Sequence, residues 1–142
     1  MAVERTLCII KPDAVEKQKA GAILERIEEA GFRVLALRMV QLTRREAEGF
    51  YDVHRQRSFF AELVQFMTRS AVVVAVLERD EAVLRWRDLM GATDPAKAAP
   101  GSIRRLFGSN VGENATHGSD SLENAQREIG FFFPGREVSP TP

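Results

Sequence analysis

The run Ala71-Val72-Val73-Val74-Ala75-Val76-Leu77 leaves the chain least choice. It is unbroken, apolar and rich in valine, and β-branched side chains pack well on a pleated surface. It reads as a central strand, and the rest of the chain must supply its neighbours. Arg5 to Ile10 reads as one of them, ended by Lys11-Pro12-Asp13 because proline cannot continue a central strand. That puts Lys11 at a strand end, where side chains often face a cleft. Phe32 to Leu42 reads as another strand, and Phe131-Phe132-Phe133 as the last.

Helices fill the intervals. Ala20, Ile23, Leu24, Ile27 and Ala30 recur at helical spacing and stop at Gly31. Thr43-x-x-Glu46 is a capping-box pattern, opening a helix with Ala47, Phe50, Tyr51 and His54 on one side. Tyr51 reads as a core aromatic with a wet hydroxyl, and His54 as a satisfied edge residue. Ser58 can cap a helix whose apolar face is Phe60, Leu63 and Met67; Phe59 lies about 100° round from that stripe. Asp80 can cap the next, where Val83, Trp86 and Met90 form a stripe with Arg87 on its rim. A buried-stripe arginine must find a partner or point its head into a cleft. Leu122 to Ile129 is the last helix. The order is strand, helix, strand, helices, strand, helix, strand. It predicts an α+β domain of the ferredoxin-like βαββαβ plan, a four-stranded antiparallel sheet with helices on one face. Residues 1–142 read as one domain, without repeat or linker, and 134–142 as a short, loosely held tail.

The polar stretch Asn114-Ala115-Thr116-His117-Gly118-Ser119-Asp120-Ser121 carries one of the two histidines. Asp120-x-x-Glu123 reads as a helix start, which puts His117 on a loop leading into a helix N-terminus, a place that suits phosphate. Gly118 would let the backbone approach a ligand. A histidine outside the core stripes, crowded by hydrogen-bonding neighbours, can be a nucleophile. Gly91 to Val111, rich in Gly, Ala, Pro and Ser, reads as a long functional excursion bearing Thr93, Arg104 and Arg105, all suited to phosphate. Phe59, off its stripe, could stack on a base.

Other chemistries lack their signatures. There is no Gly-x-x-x-x-Gly-Lys-Ser/Thr loop, no kinase Gly-rich loop with its catalytic loop, no Gly-x-Ser-x-Gly elbow and no Cys/His spacing for a transition metal. Lys plus Arg balance Asp plus Glu at 20 each, so nucleic acid is not the default partner. Cys8, alone in an apolar run, reads as a small buried hydrophobe and fits a reducing compartment. No run approaches a membrane span and the N-terminus has no signal-like stretch, so a cytoplasmic location is expected. What remains suits phosphoryl transfer through a histidine.

Asn114-x-x-His117-Gly118-Ser119-Asp120-Ser121 closely resembles the signature of the nucleoside diphosphate kinase family. So do Lys11-Pro12-Asp13, Tyr51 followed by His54 and Phe59-Phe60, Gly91-x-Thr93-x-Pro95 and Pro100-Gly101-Ser102-Ile103-Arg104. The resemblance, of the bacterial type, runs from residue 4 to about 133. It implies transfer of the γ-phosphate of a nucleoside triphosphate, mainly ATP, to a nucleoside diphosphate in two half-reactions. His117 would attack through Nδ1, with Glu128 on the other ring nitrogen and Ser119 beside it. Tyr51 would sit against the histidine. Arg87, Thr93 and Arg104 would bind phosphates, while Lys11 and Asn114 hold the sugar hydroxyl end and the transferring phosphate. Phe59 and Val111 would sandwich the base, and stacking accepts every base. Mg²⁺ would ride on the nucleotide phosphates rather than in a protein cage. The family forms homodimers that associate into tetramers or hexamers. A single-stranded nucleic-acid binder and a non-catalytic regulatory paralogue are the alternatives. The chain departs from the family pattern at Ser58, at Arg69-Ser70-Ala71 where Ser-Gly-Pro is usual, at Ser102, and at Arg105-Leu106.

Overall fold

The computed structural model describes residues 2–142. Strands β1 (Val3–Ile10), β2 (Arg33–Val40), β3 (Val72–Asp80) and β4 (Thr116–Gly118) form one antiparallel sheet in the order β2-β3-β1-β4. The α+β ferredoxin-like class stands. Seven helices surround the sheet among the described residues: α1 (Pro12–Glu16), α2 (Ala20–Glu29), α3 (Arg44–Phe50), α4 (Phe60–Met67), α5 (Ala82–Met90), α6 (Ile103–Phe107) and α7 (Leu122–Phe132).

The helices do not keep to one face. Val72, Val74 and Val76 join Leu7 and Ile9 in a core with Phe50 of α3, Val64 and Met67 of α4 and Phe132 of α7. Val73, Ala75 and Leu77 join Cys8 and Ile10 in a second core with Ile23 and Ile27 of α2 and Trp86 and Met90 of α5. Alternate side chains of a strand point to opposite faces. A strand that is apolar throughout therefore needs cover on both, which is why the plan's two crossover helices, α2 and α5, are joined by α3, α4 and α7 behind the sheet.

The fourth strand is not Phe131-Phe132-Phe133. Ala125, Glu128 and Phe132 are buried at helical spacing, so α7 runs on to Phe132 and Phe133 ends it. The edge position belongs to Thr116–Gly118, which lies against β1 with His117 opposite Ile9. Its three residues carry no strand propensity pattern; their place is set by the ladder with β1. The capping box forms as read, Glu46 N–H donating to Thr43 Oγ1 at 3.1 Å and Thr43 N–H to Glu46 Oε1 at 2.9 Å. The other caps differ. Ser121, not Asp120, accepts from the Asn124 N–H at 3.1 Å. Asp80 ends β3 beside Arg79, and Ser58 caps nothing, since α4 begins after Phe59. The 91–111 excursion is largely folded, holding a 3₁₀ turn at Pro95–Lys97 and then α6. The tail is tied down. Val138 packs on the first core, Ser139 N–H donates to Leu35 O at 2.9 Å, and Thr141 Oγ1 reaches Glu78 at 2.7 Å.

Candidate active site

His117 owes its place to two contacts of β4. Trp86 Nε1 of α5 donates to the His117 carbonyl at 3.2 Å. A Cβ on Gly118 would meet both Trp86 and Met90 at 2.6 Å. Gly118 therefore serves the packing of strand on helix, and it also lines the cleft described below. The histidine lies in a strand at the sheet edge rather than on a loop.

The side chain is one-fifth exposed, and Nε2 lies 2.8 Å from Glu128 Oε1, on α7. Ser119 Oγ donates to the same oxygen at 2.9 Å. An ionised carboxylate can only accept, so the imidazole hydrogen sits on Nε2 and Nδ1 keeps its lone pair. Nδ1 has no hydrogen-bond partner among the described residues. The rings of Phe50 and Tyr51 pack edge-on against the imidazole, with centroids 5.5 and 6.3 Å away. Tyr51 is buried, and its hydroxyl has no hydrogen-bond partner among the described residues. Burial lowers the His117 pKa below 6.5 against the opposing pull of Glu128, and Lys11 and Arg104 add to the lowering.

The cations come from distant parts of the chain. Lys11 is the N-cap of α1, and its Nζ donates to Asn114 Oδ1 at 2.8 Å. Asn114 Nδ2 in turn donates to Thr93 O at 3.0 Å. Burial, with Arg104 nearby, lowers the Lys11 pKa to about 8. Arg104 of α6 is buried, its two terminal nitrogens donating to Gly91 O and Thr116 O at 3.1 and 3.0 Å. Burial and the neighbouring Arg87 bring its pKa to about 10. Arg105, by contrast, is turned outward to Ala96 O.

One cleft of 1340 Å³ gathers Lys11, Tyr51, Phe59, Arg87, Thr93, Arg104, Val111, Asn114, His117 and Glu128. Ser119 lies behind it, bonded to Glu128. Phe59 and Val111 are half exposed along the cleft. His54 lines it too, its ring 5.4 Å from that of Phe59.

Sequence reasoning missed the part played by Asp13. Its buried carboxylate accepts the Ala115 N–H at 3.1 Å, while the Lys11 N–H donates to Ala115 O at 2.8 Å. Ala115 has φ +75°, a left-handed conformation that costs an alanine about 1 kcal/mol or more. Two hydrogen bonds from the Lys11–Asp13 corner hold it there, two residues before His117. A proline-acid dipeptide at a strand end gives no hint of a partner 102 residues away.

Fold and cleft together define a ferredoxin-like domain with a carboxylate-backed histidine facing arginine and lysine side chains. A family model described as nucleoside diphosphate kinase matches residues 4–138. The chain belongs to that family. It is 61% identical over 141 residues to a nucleoside diphosphate kinase of Sorangium cellulosum, covering 99% of this chain and 98% of that one. It is 57% identical to one of Wolinella succinogenes, covering 96% of this chain and 100% of the other. Among solved structures, the Aquifex aeolicus nucleoside diphosphate kinase superimposes with TM-score 0.95 at 52% identity, covering 96% of this chain and 99% of that one. A halophilic nucleoside diphosphate kinase from Halobacterium salinarum, in complex with CDP, gives 0.94 at 36%, covering 99% and 94%.

Proposed function

We propose that this chain catalyses the nucleoside diphosphate kinase reaction through a phosphohistidine at His117. The observation that carries this reading is the free Nδ1 of a ring fixed by Glu128 at 2.8 Å, in the same cleft as Arg87 and Arg104. Nδ1 attacks the γ-phosphorus of a bound triphosphate, mainly ATP. The Nδ1–P bond forms as the bond to the β,γ-bridging oxygen breaks, and the diphosphate leaves with that electron pair. Positive charge develops on the imidazole and is met by Glu128, which Ser119 holds in place. A second diphosphate then takes the phosphoryl group by the reverse of this step.

Charge on the phosphates is met by Arg87, Arg104 and Lys11, with Thr93 and Asn114 closing the polar end. Phe59 and Val111 take the base. Mg²⁺, held on the nucleotide phosphates beside Arg87, Arg104 and Lys11, would supply further neutralisation of the phosphate charge. The donor set fits a cation carried this way, because Glu128 is bonded to His117 and Ser119 and no group of three His, Cys, Asp or Glu side chains gathers among the described residues. Both faces of the sheet are covered by helices, which leaves no aromatic sheet platform for single-stranded nucleic acid. A non-catalytic paralogue would not need the histidine, its carboxylate and the cations together.

Two further parts of the reading concern the whole chain. It assembles as a homo-oligomer, a dimer-based tetramer or a hexamer, through the exposed edge of β2. It works in the cytoplasm, where its single thiol, Cys8, stays reduced. No helix among the described residues is long and apolar enough to cross a membrane.

Incubation with γ-labelled ATP and an alkaline quench should leave acid-labile label on the protein. His117→Ala should carry no label and transfer no phosphate while keeping the wild-type melting temperature. Acid-stable label, or transfer by His117→Ala, would overturn the assignment.

A further inference from the structure

We infer that Arg69 is a positioning residue for nucleotide binding, a clamp that ties the element carrying Phe59 to the turn carrying Val111. The inference rests on the reading of the cleft as a nucleotide site. It concerns a position where this chain departs from the family pattern.

Val111 stands on a turn with little hold on the body of the protein. The turn closes on itself: Ser109 N–H donates to Glu113 O at 2.8 Å, and the N–H groups of Gly112 and Glu113 donate to Asn110 Oδ1 at 3.0 and 2.9 Å. Val111 is its only large apolar side chain, and it is exposed rather than packed. Two tethers come from outside. Lys17 Nζ donates to Ser109 Oγ at 2.8 Å, and Arg69 Nη2 donates to Glu113 Oε1 at 3.2 Å.

Arg69 is anchored on its other sides. Its Nε and Nη2 fork onto Glu16, at the end of α1, at 3.0 and 2.7 Å. Ser70 Oγ donates to the same carboxylate at 2.6 Å. The guanidinium lies over the Phe66 ring of α4, 5.0 Å from its centroid. Phe59 stands at the other end of that helix, as its N-cap. One planar cation thus joins α1, α4 and the Val111 turn, and Arg69, Phe66 and Glu113 all line the cleft.

Each of these ion pairs is two-fifths exposed and of small worth alone. A forked arginine that also stacks on a ring loses less freedom per contact than separate pairs would. Its effect is preorganisation. The turn waits in the position a base requires, and binding does not have to order it. Nothing in the clamp touches His117, so the chemical step does not depend on it.

The test compares nucleotide substrates with phosphoramidate, a phosphoryl donor that has no base. Arg69→Gln should raise the KM for GDP, CDP and dTDP alike by about three- to tenfold, with kcat within about twofold. Glu113→Gln should do the same, and the double variant should be no worse than Arg69→Gln, because both remove one tether. Labelling of His117 by phosphoramidate should keep its wild-type rate, and the melting temperature should stay close to wild type. Unchanged KM values, additive effects in the double variant, or an equal fall in phosphoramidate labelling would overturn the clamp. Failure of wild-type protein to take label from ATP while phosphoramidate labels it would overturn the nucleotide-site reading itself.

Discussion

In the proposed mechanism Lys11 works charged and His117 works neutral, and burial lowers the pKa of both. Lys11 must be cationic to meet a phosphate, yet burial lowers its pKa to about 8. His117 must be neutral at Nδ1 to attack, and burial lowers its pKa below 6.5. The two directions leave a window. Below it the imidazole gains a proton and loses its lone pair; above it the lysine loses its charge. kcat/KM, which reports the free enzyme, should therefore fall on the acid side below pH 6.5 and on the alkaline side from about pH 8. Bound phosphates favour the ammonium form, so the alkaline limb of kcat should lie higher than that of kcat/KM. Lys11→Gln should lower activity and abolish the alkaline limb. A pH profile of that variant with the limb still at about pH 8 would remove Lys11 from the explanation.

At the scale of an element, β4 is the one on which everything turns, and it is three residues long. It has no hydrophobic run to insert and survives by contact with β1 on one side and Trp86 on the other. Gly118→Ala would put a methyl group 2.6 Å from the Trp86 indole and from Met90, both fully buried. Overpacking of that kind costs about 1–3 kcal/mol. The expected result is a melting temperature lowered by several degrees and a larger loss in kcat, because relief of the clash displaces the backbone of His117. Thermal melting and steady-state rates on one preparation check both; wild-type values would show that the strand is not tight against α5. This strand also marks where the sequence stops being legible. The polar neighbours of His117 placed it outside the core stripes, and the structure sets its side chain, one-fifth exposed, in the cleft. Its strand could not be read, since Thr-His-Gly has no periodicity and its place comes from pairing with residues over 100 positions earlier. The triple phenylalanine misled for the opposite reason: it looks like a strand in isolation and shows its helical phase only when Ala125 and Glu128 are counted with it.

At the scale of the molecule, the same valine run carried more information than a single strand. Seven apolar residues in succession require cover on both faces of the sheet, and the structure supplies it with helices on each side. The cover is incomplete at β2, the edge strand. Leu37 and Met39 stand opposite Ala75 and Val73, whose side chains are buried beneath α2 and α5. They continue that apolar face beyond the helices and are more than half exposed. The tail meets the strand at Leu35, through Ser139, and at Arg38, through Glu137, and leaves Leu37 and Met39 uncovered. An open edge with outward apolar side chains invites pairing with another chain, and Lys at such positions opposes it. A second copy offers the same edge in return, which closes a two-fold contact. Light scattering should therefore give wild-type protein a mass that is a multiple of one chain. The double substitution Leu37→Lys and Met39→Lys should lower it toward the mass of a single chain. That variant should also melt at a lower temperature that rises with protein concentration, since association stabilises the folded chain by mass action. His117, on the opposite edge of the sheet, should still accept label from ATP in the dissociated protein. A wild-type mass of one chain, or a double variant of unchanged mass, would move the assembly contact away from β2.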